Sequence, residues 1–193
     1  IGVSPLFYHR AASSLAMLWK SYPKANFIIS CDSSHRIIRK ILDCEIDIGI
    51  VTLSDYTSHN QLRMISISRE QRLVFIASPD HPVFKEIKID WKEIADYPLI
   101  LGPNNAFTRE LVIDKLRIAG VSKQPDFIAE DSDLIAIKAL VKTGIGIALW
   151  NIEDIKEEIE SCQIKILSTP EEISVPVNMI IRSEEELVPL TKK

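Results

Sequence analysis

Cysteine is scarce in this chain of 193 residues: Cys31, Cys44 and Cys162 form no CxxC pair and are odd in number. That fits a reducing compartment, the cytoplasm, better than a disulfide framework. No apolar run approaches the roughly 20 residues of a membrane span, and no charged-then-apolar leader opens the chain, so no membrane partner is expected. Histidine is sparse too. His9, His35, His59 and His81 are dispersed, with no HExxH-type spacing, and no metal is predicted. Gly144-x-Gly146 lacks the third glycine of a dinucleotide loop and stands between a helix and a strand rather than between a strand and a helix. It therefore reads as a helix stop with close packing, and no cofactor is expected. Positive charge is not in excess either. With a net charge of −4 the segment has no general attraction for phosphate backbones and is not expected to form a DNA-binding surface.

What is present is an ordinary globular composition, 46% hydrophobic and 26% charged, on a chain long enough for one large domain or two lobes of about 100 residues each. The stretch Arg72 to Pro82 organises the rest. An almost unbroken apolar segment, Leu73-Val74-Phe75-Ile76-Ala77, runs into Pro79-Asp80-His81-Pro82. Proline lacks the ladder N–H, so the strand must end by Ser78.

Before that stop, residues 1–51 read strand, helix, strand, helix, strand, which predicts a parallel sheet covered by helices. Ser4-Pro5 starts the first helix, with Leu15, Leu18, Trp19 and Tyr22 at helical spacing and Pro23 beyond its end. Asn26 to Cys31 is β-rich, Ser33-Ser34 precede a helix carrying Ile37, Ile38, Ile41 and Leu42, and Asp47 to Val51 is the third strand. Gln61 to Ile67 reads as an edge strand.

After the stop the same grammar repeats. Asp90 to Ile94 is a short capped helix, Pro98 to Leu101 a strand, and Phe107 to Ala119 a helix closed by Gly120. Phe127 to Ala129 is a strand, a helix capped by Asp131 or Ser132 runs through Lys142, and Ile145 to Leu149 is a buried strand. Glu153 to Glu160 reads as a short helix with a solvated face. Strands at Ile164 to Leu167 and Val175 to Ile181 lead back, and a helix begins at Glu184. The prediction is α/β: two Rossmann-like lobes, 1–71 plus 172–193 and 72–171, joined by two crossing hinge strands with a ligand cleft where strand ends and helix N-termini meet.

The motifs resemble the effector-binding domain of LysR-type transcriptional regulators, a family of type 2 periplasmic-binding-protein-like fold, along essentially the whole chain. The resemblance rests on Ser21-Tyr22-Pro23, Leu42-Asp43-Cys44-Glu45-Ile46-Asp47-Ile48-Gly49, Asp80-His81-Pro82, Ile94-Ala95-Asp96-Tyr97-Pro98-Leu99-Ile100 and Leu140-Val141-Lys142-Thr143-Gly144-Ile145-Gly146-Ile147-Ala148-Leu149. Cys44 stands where the family usually has glycine after a helix, so that turn must accept strain or adopt another geometry. Trp150-Asn151 replaces Leu-Pro. The family's winged helix-turn-helix is absent from these residues, so DNA binding would belong to another part of the protein.

The resemblance implies a small, anionic, carboxylate-like effector held near three helix N-termini. Ser4, Ser33 and Ser34 supply hydroxyls on one side, with Leu6 making that wall partly apolar. Asn104, Asn105 and Phe107 close from the other, and Thr52 and Ile76 line the strand ends. The bland alternative makes the serines simple N-caps. Effector binding would favour one hinge angle and alter subunit packing in a homodimer or tetramer, with the helix from Pro5 to Lys20, including Phe7 and Met17, as the exposed contact. The protein is then no enzyme. Two other readings compete: a periplasmic-type solute receptor for transport, and a Cys-dependent enzyme in which His35 activates Cys31.

Overall fold

The computed structural model describes residues 1–53, 60–86, 89–104, 106–123, 125–129, 134–169 and 171–183, apart from the side chains of residues 9, 69, 70 and 129. The predicted caps Asp131 and Ser132, the helix from Glu184, His59 and Asn105 lie outside the described residues. The chain divides into two units, Ile1–Gln71 with the return from Val175, and Arg72–Ser174.

The first unit holds β1 (Gly2–Val3), α1 (Pro5–Ser21), β2 (Ser30–Cys31), α2 (Ser34–Leu42) and β3 (Ile48–Val51). β1 lies between β2 and β3, parallel to both, in the register Gly2↔Ser30 and Gly2↔Gly49. Opposed glycines let α2 settle onto the sheet. A Cβ on Gly49 would stand 2.5 Å from Ile37 Cγ2 and 2.8 Å from Ile41 Cδ1, and one on Gly2 would stand 2.7 Å from Ile46 Cδ1. Ile37 and Ile41 are wholly buried there, each burial stabilising by about 2 kcal/mol. Ile180, from the segment on which the chain returns to this unit, joins this core with Val51.

α1 faces inward with Phe7, Ala11 and Leu15, a stripe at i, i+4, i+8. Leu18 and Trp19, on the same predicted stripe as Leu15, are exposed instead, and Phe7, predicted to be exposed, is core. The stripe is set by where α1 meets β1, which helical periodicity alone does not fix. The β-rich run from Asn26 narrows to Ser30–Cys31, because its partner β1 has only two residues to offer.

β4 (Leu62–Ala77) is one strand of 16 residues, so the separate edge strand read from Gln61 to Ile67 is its first half. Its last residues belong to the second unit, which continues with α3 (Trp91–Ile94), β5 (Leu99–Ile100), α4 (Phe107–Ile118), β6 (Phe127–Ala129), α5 (Leu134–Lys142), β7 (Ala148–Asn151), α6 (Lys156–Glu160) and β8 (Lys165–Ile166). β9 (Ile173–Arg182) then returns and runs antiparallel to β3. β4 pairs antiparallel with β7, from Leu73↔Asn151 to Ile76↔Ala148, while β5 pairs parallel with β6. The core around β4 and β7 collects Val74, Ile76, Ile100, Ile137, Val141 and Trp150.

Here too a predicted strand moves. Ile145 to Leu149 becomes Ala148–Asn151, because Ile147 bonds to the other sheet: its N–H donates to Pro98 O (3.0 Å) and its carbonyl accepts from Ile100 N–H (2.8 Å). A Cβ on Gly146 would lie 2.6 Å from Pro98 O, so this glycine is needed for that close approach. The stretch from Glu153 is a 3₁₀ turn, Ile152–Ile155, followed by α6, and it buries Ile155. Asp90 caps α3 reciprocally with Glu93, each side chain accepting from the other's backbone end.

α4, α2 and α6 share one C-terminal motif. In α4, Val121 N–H donates to Leu116 O and Gly120 N–H to Arg117 O, with Gly120 at φ 74°. α2 repeats it through Glu45 to Lys40 and Cys44 to Ile41, and α6 through Gln163 to Glu158 and Cys162 to Ile159. Cys44 and Cys162 therefore occupy the left-handed position, at φ 60° and 56°. A side chain there costs about 1 kcal/mol. Cys44→Gly and Cys162→Gly should each raise stability by about 0.5–1 kcal/mol in urea titrations of the intact chain; a loss of stability in both would contradict the strain argument.

His81 is buried in the turn after β4, its Nδ1 accepting from Val83 N–H at 3.2 Å. Burial pushes its pKa below the ordinary 6.5. The folded state thus favours neutral imidazole, and this contribution is complete above pH 6.5 and lost as pH falls from there through the lower folded value. His81→Asn, which keeps an acceptor but cannot titrate, should show a shallower fall in unfolding midpoint between pH 7.5 and 5.5 than the parent. Equal slopes would remove His81 from the acid sensitivity.

Candidate functional site

The site forms where three parallel strands of the first unit end side by side. β1 runs into Ser4, β3 into Thr52, and β2 into Asp32 and the start of α2. The strand ends are stitched by backbone bonds, Ser4 N–H to Ile50 O at 2.8 Å and Asp32 N–H to Val3 O at 3.2 Å. Carboxyl ends of parallel strands form the usual ligand-binding edge of such a sheet, and here β1 and β2 each lead into a helix N-terminus.

Three sequence-predicted residues come together here. Ser4, Ser34 and Thr52 are all buried, at 2%, 5% and 0% exposure. Ser4 Oγ and Thr52 Oγ1 share a hydrogen bond of 3.3 Å in which either can donate. Ser34 Oγ donates to Thr52 O and accepts from Thr52 N–H, both at 3.2 Å. Leu6, the second residue of α1, is buried in the core. Ser33 is the N-cap residue of α2 and its N–H is held by Asp32 Oδ1 at 2.9 Å.

Ser4 and Ser33 stand at N-cap positions, yet neither side chain bonds back to its helix, and Ala106 at the start of α4 has no such side chain to offer. Simple capping, the bland alternative for the serines, is therefore not their role. The first-turn amides of α2, at Ser34, His35 and Arg36, precede the first intrahelical bond, from Ile37 N–H to Ser33 O. They present partial positive charge to whatever lies beyond the helix end. Around them Asp32 is held by Lys40 at 3.0 Å and by Arg36 at 3.7 Å, so its carboxylate is already neutralised.

The remaining predicted residues belong to the second unit. Ile76 is fully buried in the core of β4 and β7 and serves packing there. Asn104 is exposed in the turn before α4, and Phe107 is half-buried at that helix's first position.

Two buried polar residues escaped the sequence reading. Asn178, on β9 opposite Val51, donates from its amide to Leu53 O at 3.3 Å and so fixes the chain just past Thr52. Its only sequence signal is an amide inside an apolar strand. Arg109, 4% exposed in the first turn of α4, lies with its guanidinium 3.9 Å above the Phe127 ring and reaches Gly102 O at 3.4 Å. An arginine on a helix is ordinarily read as solvated. Cys31 is exposed on β2, and burial and then Asp32 push its thiol pKa up, the opposite of what an activated nucleophile needs. Among the described residues no group of three His, Cys, Asp or Glu side chains converges, and no helix is long and apolar enough to cross a membrane.

The model of the LysR substrate binding domain matches residues 1–193. The chain is 27% identical over 175 residues to the Probable RuBisCO transcriptional regulator of Trieres chinensis, covering 89% of this chain and 56% of that protein. It superposes on the CcmR regulatory domain of Synechocystis PCC6803 in complex with 2-PG with a TM-score of 0.85 and 20% identity, covering 99% of this chain and 90% of that one. The effector binding domain of QuiR in complex with shikimate gives a TM-score of 0.77 and 20% identity, over 99% and 90% of the two chains. At these identities the solved structures speak for the fold. The chain spans about half the length of the regulator it matches in sequence, 56% of it.

Proposed function

This chain belongs to the LysR substrate binding domain family, with the family's mixed α/β, type 2 periplasmic-binding-protein-like fold, and from that premise we propose that it senses a small anionic metabolite for a longer transcription regulator. The observation that carries the reading is the buried hydroxyl cluster of Ser4, Ser34 and Thr52 beside helix N-termini with no side-chain caps. Uncapped first-turn amides and a hydroxyl donor suit a carboxylate or phosphate, since both offer several strong acceptors to converging N–H and O–H groups. Two structural relatives are complexed with 2-PG and with shikimate, which supports ligands of this size. Effector binding acts on transcription through the remainder of the protein, by its differential affinity for alternative states of this domain.

A thermal-shift series with 2-PG, shikimate and other small acids, each matched by an uncharged analogue, tests this reading. Ligand at about a hundred times its Kd stabilises a fold by about 2.7 kcal/mol. At least one acid should raise Tm in a dose-dependent way while its uncharged analogue does not. Stabilisation by neutral analogues alone would sink the anionic reading.

Oligomerisation is the second part of the proposal. α1 leaves Met17 71% and Trp19 60% exposed, with Leu18 between them at 42%, so the C-terminal end of the helix shows apolar side chains on more than one face. Such an exposed apolar end suits a second copy of this chain. Light scattering should find a dimer that Trp19→Glu weakens at least tenfold. A parent that stays monomeric at high concentration would count against α1 as the interface.

A further inference from the structure

The hydroxyl cluster assigns unequal roles to its members when their protons are counted. A serine hydroxyl has one proton and two acceptor lone pairs. Ser34 Oγ donates its proton to Thr52 O and accepts from Thr52 N–H, both at 3.2 Å, so a single lone pair is left over. A group that can only accept has nothing to offer a carboxylate or phosphate oxygen. Donating to one would require giving up the bond to Thr52 O, leaving that carbonyl buried beside a residue of 0% exposure without its partner.

Ser4 and Thr52 differ. Their hydroxyls carry two protons between them, and the 3.3 Å bond that joins them uses one, whichever of the two donates. One proton remains. The Thr52 backbone from which Oγ1 reaches Ser4 is held by Ser34 at both its N–H and its carbonyl.

We propose that Ser34 is a positioning residue rather than a ligand contact: its hydroxyl clamps the Thr52 backbone to the first residue of α2, and the Ser4–Thr52 pair so aligned presents one hydroxyl proton to the ligand. Ser34 contributes to the ligand directly only through its backbone N–H. This inference rests on the proposed anion site, but the clamp is measurable without any ligand.

The test has two arms on the intact chain. In amide hydrogen exchange followed by NMR, Thr52 N–H should be protected in the parent. It should exchange at least tenfold faster in Ser34→Ala, with protection largely restored in Ser34→Thr, which keeps an oxygen at the γ position. Ile37 and Val51 serve as references, since a general loss of stability accelerates them equally. Uniform acceleration, or no change at Thr52, would overturn the clamp.

In the second arm, calorimetry with 2-PG compares the parent, Ser34→Ala, Thr52→Val and the double variant. If Ser34 acts through Thr52, its removal weakens binding about tenfold when Thr52 is present and hardly at all once Thr52→Val has removed the hydroxyl. Losses that multiply would make Ser34 an independent contact and overturn the assignment. A parent that does not bind 2-PG counts against that acid as ligand and leaves the clamp to be decided by the exchange arm.

Discussion

The close seating of α2 on the first unit's sheet is the constraint from which the site follows. Gly2 and Gly49 face each other across β1 and β3, and the space their missing side chains leave is filled by Ile37 and Ile41. A larger residue at Gly49 would press on Ile37 and Ile41, 2.5 and 2.8 Å from its Cβ, and one at Gly2 on Ile46 and Ile37, 2.7 and 3.0 Å away, so either would disturb this seating. At this depth the first residue of α2 lies level with the end of β3, and Ser34 can reach both polar atoms of the Thr52 backbone. A helix held farther out would leave those backbone groups buried and unpaired, at about 1–3 kcal/mol each. The polar site and the apolar core below it are therefore one packing solution. Ile37 sits three residues from Ser34, so the same first turn serves both.

Arg182 secures the other end of that helix. Its guanidinium donates to Ile41 O at 3.3 Å and faces Asp47 at 3.6 Å, placing positive charge at the α2 C-terminus, where the helix dipole is negative. Since Arg182 comes from β9 and β9 pairs with β3, the return of the chain completes the first unit. Asn178, four residues earlier on the same strand, holds the continuation of β3 through Leu53 O. β9 thus braces α2 at one end of β3 and the chain beyond Thr52 at the other.

How much of this could be read from sequence depends on whether the deciding signal was local. The start of α1 at Ser4-Pro5, the stop at Gly120 and the end of β4 before Pro79 were legible, since proline geometry and left-handed glycine act within a few residues. Strand limits were not. The run from Asn26 and the run from Ile145 are equally apolar, but a strand extends only as far as its neighbour offers bonds, and those neighbours, β1 and β4, are distant in sequence. The inner stripe of α1 failed for the same reason. Its periodicity was visible, but the choice of Phe7, Ala11 and Leu15 over Leu18 and Trp19 was made by the sheet beneath.

The site was half legible for a related reason. Serines before helices are correctly marked as helix-terminal residues, and the family resemblance pointed to Ser4, Ser34 and Thr52. Nothing within one turn of Ser4 or Ser34 reveals that their hydroxyls face Thr52, 48 and 18 residues away, instead of the amides of their own helices. Capping is the default use of an N-terminal serine because it needs only local geometry. When a tertiary partner takes the hydroxyl instead, the helix amides stay open to an external acceptor. At Ser4 the diversion of the hydroxyl to Thr52 and the uncapped start of α1 are thus the same event. If this edge binds an anion as proposed, the polar contact that ties Ser4 to Thr52 is also what leaves the start of α1 without a side-chain cap.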